Sequence, residues 1–126
     1  MDQVYLFGLA SRRSEWLSTR QTVVAENVAN ANSPGFKARD VTPFQDVMQA
    51  TRLAMAGTSG AHMTDGVETG LVVEDQRDRS WEVTHSGNSV SLEQEMLKAG
   101  EVQADYSLTS SITKAFHRFY LTSVKA

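Results

Sequence analysis

Residues 27–40 read NVANANSPGFKARD and contain the sharpest helix stop in the chain. Pro34 cannot continue a helix, and it disfavours the α conformation for Ser33 before it. Gly35 tolerates a positive φ, so residues 33–36 are predicted to form a tight turn with Pro34 and Gly35 in its two central positions. The turn therefore ends whatever helix precedes it.

The sequence before the turn has the apolar spacing of one long helix, from about Val4 to Asn32. Such a helix would be roughly 43 Å long. Its apolar stripe is narrow, so it needs partner helices more than a core of its own. Three amide side chains near its end suit hydrogen bonding to a closely packed neighbour and are predicted to line one side of the helix. These are Asn27, Asn30 and Asn32.

Two arginines, Arg13 and Arg20, interrupt this apolar stripe seven residues apart. Two interpretations are open. In one, they form ion pairs with a neighbouring subunit. In the other, they lie on a solvated helix edge with their aliphatic stems against the apolar surface.

The middle of the chain, residues 41–90, is less regular. A short amphipathic helix is predicted to begin near Thr42 or Pro43, with an apolar face formed by Phe44, Val47, Met48 and Leu53. Two short β-like runs, residues 71–74 and 81–84, suit a small hairpin, although two isolated strands are marginally stable in water. The rest reads as loop.

The chain from Ser91 to Val124 has no proline and a single glycine, and its apolar residues approximate the spacing of a second long helix. Ser91 and Gln94 fit a capping box at its start. Two long helices joined by a polar middle imply an antiparallel pair. The predicted fold is therefore mainly α, with two long terminal helices packed as an antiparallel coiled-coil-like pair and joined by a loop-rich middle with a short helix and a small β-hairpin.

The sequence contains no pattern typical of an enzyme active site or a metal site. There is no cysteine, and the three histidines, His62, His85 and His117, share no ligand spacing. No glycine-rich phosphate loop or nucleophile motif occurs. The net charge of −3 comes from the middle segment, so neither terminal segment is a basic nucleic-acid arm. No apolar run is long enough to span a membrane. No cofactor and no direct lipid binding are expected.

The quoted run resembles the N-terminal signature of flagellar rod, hook and related axial proteins. That pattern is roughly Asn-(Ile/Val)-Ala-Asn-x-x-(Thr/Ser)-Pro-Gly-(Tyr/Phe), with Ser33 and Phe36 as the alternative residues here. A second run is similar to the Gly-Asn-x-Val-x-Leu-Glu-x-Glu-Met segment that opens the C-terminal helix in the same family. The matching residues are Asn88, Val90, Leu92, Glu93, Glu95 and Met96.

The resemblance implies a structural subunit of the bacterial flagellar basal body, in the proximal part of its periplasmic rod. The implied partners are other copies of the chain, other proximal rod proteins, the adapter between rod and membrane ring, and the flagellar type III export apparatus. Export would proceed without a cleaved signal peptide. The alternative from another class is a small exported helical-hairpin adaptor that binds other proteins.

Residues 1–40, 41–90 and 91–126 are expected to form the N-terminal helix with its signature, a variable connector and the C-terminal helix of one structural domain. The expected assembly interface combines the signature with apolar residues of both long helices. Its members are Leu17, Val24, Asn27, Val28, Asn30, Asn32, Pro34, Gly35, Phe36, Tyr106, Ile112, Phe116, Phe119 and Tyr120.

Overall fold

A computed structural model describes residues 2–52, 73–75 and 80–125. The elements run in the order α1 (Asp2–Ala29), β1 (Arg39–Val41), α2 (Phe44–Arg52), β2 (Val73–Asp75) and α3 (Leu92–Lys125). At about 1.5 Å per residue, α1 is roughly 42 Å long and α3 roughly 51 Å. The predicted mainly helical fold with two long terminal helices is confirmed.

The two long helices pack antiparallel. Near the start of α1, Phe7 lies against Phe116 with the ring centroids 5.8 Å apart. Near the end of α1, the Asn27 amide reaches the Glu95 carboxylate on the first turns of α3. Positions rise along α1 while their partners fall along α3, so the Asp2 end of α1 and the Lys125 end of α3 lie at the same end of the pair.

The apolar core occupies only part of this pair. Trp16, Leu17 and Val23 of α1 are buried with Val41 of β1 and Val102 of α3. The indole of Trp16 also donates a hydrogen bond to the Thr42 carbonyl at 2.7 Å, which ties the segment between β1 and α2 to the middle of α1. Phe44 and Val47 of α2 pack on the outside of this core, as the sequence predicts for the short helix. Leu53, predicted on the same face, lies outside the described residues.

The end of α1 differs from the sequence-based expectation. The helix ends at Ala29, so Asn30 and Asn32 lie in the turn that follows it. The prediction that the three asparagines line one side of a helix is therefore wrong. The helix ends several residues before Pro34, because the Ser33 amide donates to the Asn30 carbonyl at 3.0 Å and closes a turn there.

The strand pairing also differs from the predicted hairpin. Strand β2 pairs antiparallel with β1, with Asp40 opposite Glu74. Residues 81–84 form no strand. The Thr84 amide instead donates to the Asn88 carbonyl at 2.9 Å, and the Gly87 amide donates back to the Thr84 carbonyl at 2.8 Å. That local turn occupies the backbone groups that a second hairpin strand would need.

The far end of α3 is predicted to exchange its amide protons faster than its beginning. Glu95, Lys98 and Val102 are buried, whereas every residue of 117–125 is exposed. A helix segment that buries little surface opens at little free-energy cost. Hydrogen exchange on the isolated chain should show protection over residues 95–106 that falls off towards Lys125, and equal protection along all of α3 would contradict this.

Candidate assembly site

The residues that follow α1 form the turn that the sequence predicts. The Phe36 amide donates to the Ser33 carbonyl at 3.2 Å, which places Pro34 and Gly35 in the two central positions. Gly35 has a φ of 73°, the conformation that the third residue of such a turn requires. The Ser33 hydroxyl contacts the side-chain oxygen of Asn30 at 3.1 Å. The prediction of a Pro-Gly turn with a left-handed glycine is confirmed.

The second signature run docks directly on this turn. The Gly35 amide donates to the Ser86 carbonyl at 2.8 Å, and the Ser89 amide donates to the Phe36 carbonyl at 3.1 Å. The buried hydroxyl of Ser89 in turn accepts the Ala38 amide at 2.8 Å. The two runs are about fifty residues apart in sequence, and together they form one hydrogen-bonded unit, which we call the clamp (residues 27–40 with 84–98).

Asn88 is the centre of the clamp. Its amide nitrogen donates to the carbonyls of Asn30 and Ser33, each at 2.8 Å. Its side-chain oxygen accepts the Val90 amide, also at 2.8 Å. The side chain is buried, so one residue forms hydrogen bonds with three backbone groups of the clamp.

The clamp contains two left-handed glycines in contact. Gly87 has a φ of 81°, and a Cβ added to it would lie 3.6 Å from the Cα of Gly35. Each signature run thus contributes one glycine where the two backbones approach each other most closely.

We predict opposite effects of alanine at two glycines. Gly35→Ala places a side chain at positive φ and should lower the free energy of unfolding by about 1–2 kcal/mol. Gly100→Ala, inside α3 where an added Cβ meets nothing within 4 Å, should raise it by about 0.5–1 kcal/mol. Urea denaturation of the two variants provides the comparison, with Gly35→Asn as a milder control because asparagine tolerates positive φ. A neutral Gly35→Ala variant would refute the strain argument.

Asn27 links the end of α1 to both other parts of the clamp. Its exposed fraction is 0%. The amide nitrogen donates to the Arg39 carbonyl at 2.7 Å and to the Glu95 carboxylate at 3.1 Å, and the side-chain oxygen accepts the Arg39 amide at 3.1 Å. The side chain of Asn27 therefore forms with the Arg39 backbone the two hydrogen bonds that a neighbouring strand would form, although Asn27 is part of a helix.

Beneath Asn27 lies a cluster of four charged side chains, Arg20, Asp40, Glu95 and Lys98. The ammonium of Lys98 lies 3.2 Å from the Glu95 carboxylate and 3.8 Å from that of Asp40. Arg20 pairs with Asp40 at 3.2 Å. The Glu95 side chain has no exposed surface, and the other three are largely buried. The charges balance as two positive and two negative, which low-dielectric burial requires.

The two arginines of the apolar stripe follow neither interpretation proposed from the sequence. Arg13 pairs with Asp105 at 2.6 Å, and Arg20 pairs with Asp40 and Glu101. The guanidinium of Arg13 also lies 4.7 Å from the centre of the Trp16 ring. Both arginines therefore hold α1 to α3 within one chain, neither solvated at a helix edge nor reserved for a neighbouring subunit.

The expected interface residues fall into two groups. Leu17, Val24 and Asn27 are buried inside the single chain, so in this conformation they offer almost no surface to a neighbour. The remaining eleven keep exposed or half-exposed surface, and for them the interface remains a prediction. Phe116 is half-buried against Phe7, whereas Phe119, one turn further on, is 72% exposed.

Sequence reasoning placed the two signature runs but missed their contacts. Nothing in local spacing predicts that Asn88 binds the carbonyls of Asn30 and Ser33, or that Lys98 and Asp40 share a cluster. One signal was available. Glu95 lies on the side of α3 that also carries Val102, so a carboxylate on the packed face required a buried cation or amide nearby.

The described residues contain no cluster of three or more candidate metal ligands. His85 and His117 are exposed, while His62 lies outside the described residues. Among the helices described, none is long and apolar enough to cross a membrane.

Comparison with known proteins identifies similar chains. The family model described as "Flagella basal body rod protein" matches residues 16–37, which include the Pro-Gly turn. The chain is 47% identical to the flagellar basal body rod protein FlgB of Agrobacterium fabrum over 129 residues, 99% of this chain and 96% of the relative. It is 32% identical to FlgB of Borrelia hermsii (82% of this chain, 84% of the relative) and 30% identical to FlgB of Escherichia coli (73% and 72%).

Proposed function

The chain belongs to the FlgB family of flagellar basal body rod proteins and is a structural subunit of that rod, not an enzyme, and from this premise we propose how it is used. The clamp fixes the register of α1 against α3, and the fixed pair presents its outer faces to other copies of the chain and to other proximal rod proteins. The rod-to-membrane-ring adapter is the further partner that we propose at the base.

One observation carries this proposal. Residues of both signature runs hold the clamp together within one chain, whereas large apolar side chains remain exposed along the length of α3. A single soluble copy has no use for that surface, since contiguous apolar patches mark interaction sites. Assembly through the outer faces of a preformed helix pair accounts for both facts.

The route and final place of the subunit are also part of the proposal. We propose that the chain is exported through the flagellar type III apparatus without removal of an N-terminal segment and resides in the periplasmic part of the rod. The adaptor alternative is not favoured, because the similarity to FlgB of Agrobacterium fabrum covers 99% of the chain. Flagellar rod and export genes beside the gene would be the simplest supporting observation.

The test is assembly in a strain that lacks the endogenous subunit. Complementation should restore swimming, and the subunit should be recovered in purified basal bodies. Subunit that reaches the medium but is absent from basal bodies would show export without assembly. Restored swimming with no subunit in the basal body would contradict the proposal.

We predict that Phe119→Ala reduces assembly without unfolding the subunit. The ring is 72% exposed, so its removal should change the free energy of unfolding by no more than about 0.5 kcal/mol. If the ring is buried against a neighbour, retention in basal bodies should fall severalfold. His117→Ala, also exposed on α3, is the matched control and should assemble normally. A histidine variant as defective as the phenylalanine variant would refute this assignment.

A further inference from the structure

The two sides of the helix pair are unlike each other. On one side, a groove of about 350 Å³ runs between α1 and α3. Its floor contains the buried side chains of Leu17 and Val102, and its walls include Ser14, Ser18, Gln103 and Tyr106. None of the residues that line it is charged.

The other side of α3 carries a ridge, formed by Leu108, Ile112 and Phe119. Leu108 is 59% and Ile112 48% exposed. At about 100° per residue, Ile112 lies roughly 180° around the helix from Gln103 of the groove. Groove and ridge therefore face in opposite directions across the same helix.

We propose that the ridge of one copy occupies the groove of the next copy. This inference rests on the proposed function. It adds which two faces meet and how far one copy is shifted along the helix axis relative to the next. A ridge on one side and a groove on the other make a heterologous contact, in which each copy uses one face and offers the other. Such a contact repeats around an axis, as a tubular rod needs.

Charge supports a second copy as the occupant. Between Asp105 and Lys114 the sequence contains no charged residue, so the part of the ridge formed by Leu108 and Ile112 is as uncharged as the groove. Burying the ridge against the groove therefore leaves no charged group without a partner. An unpaired buried charge would cost several kcal/mol. Nearer the start of α3, Glu101 and Asp105 are already paired with arginines of their own chain.

The positions of the two faces impose an offset. The groove is centred near residue 104 of α3 and the nearest part of the ridge near residue 110, about six residues further along. At 1.5 Å per residue this is a shift of roughly 9 Å along the helix axis. A repeated contact with an axial shift does not close into a flat ring, and it generates a helical array.

The contact is small. From Leu108 to Phe119 the ridge is roughly 17 Å long, and at about 10 Å for the width of a helix it covers roughly 170 Å². Stable pairs bury about 800 Å² per partner. Two free copies should therefore separate, and the contact should persist only where many neighbours hold each subunit.

The experiment is cross-linking in assembled basal bodies. The chain has no cysteine, so introduced thiols are its only ones. Two differently tagged copies are expressed together in the strain without endogenous subunit, one with Ser18→Cys and one with Leu108→Cys, and purified basal bodies are treated with a short bismaleimide. A covalent dimer with both tags is expected, at least tenfold above either variant alone. Both substitutions in one chain should give a ladder of multimers.

The control pair is Arg12→Cys with Leu108→Cys, because Arg12 is exposed outside the groove and, at about 100° per residue, lies roughly 160° around α1 from Ser14, and it should give only background. Dimers from Leu108→Cys alone would mean that ridges meet ridges and would overturn the proposal. A second pair, Ser14→Cys with Ile112→Cys, covers the case in which the first assembles poorly, since Ser14 lies at the groove end towards which the ridge continues from Leu108 to Ile112. Retained, motile rods with no mixed dimer from either pair would overturn the ridge-and-groove contact and leave the rod assignment intact. Failure of the unmodified chain to enter basal bodies would instead count against the proposed function.

Discussion

Lys98→Met is expected to lower the free energy of unfolding by about 3–5 kcal/mol. The ammonium of Lys98 lies between the carboxylates of Glu95 and Asp40. Its removal leaves the fully buried Glu95 carboxylate beside the buried carboxylate of Asp40. Of these two carboxylates, only that of Asp40 is paired with Arg20. An uncompensated buried charge is among the most destabilising changes that a single substitution makes. Urea denaturation followed by circular dichroism measures the loss.

Two further variants test whether charge imbalance causes this loss. Glu95→Leu combined with Lys98→Met removes one charge of each sign and should recover most of the stability, because well-packed apolar replacements of buried ion pairs are often neutral. Lys114→Met, at an exposed position of the same helix, should be nearly silent. If the double variant is as unstable as Lys98→Met alone, charge imbalance is not the cause, and the loss comes from the hydrogen bonds that Lys98 and Glu95 form.

Asn88→Ala is expected to lower the free energy of unfolding by about 3–5 kcal/mol. The substitution leaves the buried Val90 amide without a partner and removes one of the two hydrogen bonds that each of the Asn30 and Ser33 carbonyls accepts. A buried group left without a partner costs about 1–3 kcal/mol, and each further lost hydrogen bond about 0.5–1.5 kcal/mol. Because those bonds join the two signature runs, the variant should also be cleaved faster by proteases within the clamp.

Asn88→Asp and Asn32→Ala complete the comparison. Aspartate keeps the shape but offers an oxygen where both carbonyls need a donor, so it should be at least as harmful as alanine. Asn32 is exposed in the turn, and its alanine variant should unfold at nearly the wild-type urea concentration. An Asn88→Ala variant with wild-type stability would show that water replaces the side chain in the clamp.

The elements of this fold are predictable because their signals are local. The spacing of apolar residues predicts both long helices, and Pro34 with Gly35 predicts the turn. Ser91 accepts the Gln94 amide at 3.5 Å on its hydroxyl, in the N-cap position expected from the capping box. Helix spacing, turn chemistry and caps each operate within a few residues, so one sequence contains them in full.

The contacts of the clamp are not predictable in the same way. The carboxylate of Glu95 meets Asn27 across 68 positions of sequence, and β1 finds its partner in β2 after an intervening helix. Local periodicity says which face of a helix is apolar, and it does not say which distant polar group will lie above that face. For the same reason the arginines of the stripe were assigned to solvent or to a neighbour.

The shared position of the Asp2 and Lys125 ends has a mechanical consequence. A force that draws the start of α1 away from α3 loads the contacts between the two helices one after another instead of all at once. Phe7 would separate from Phe116 first, then Arg13 from Asp105, and the clamp at Asn27 would yield last. Opening should therefore begin at low force at the free end and stall at the buried polar cluster, where the resistance of the molecule to pulling is concentrated.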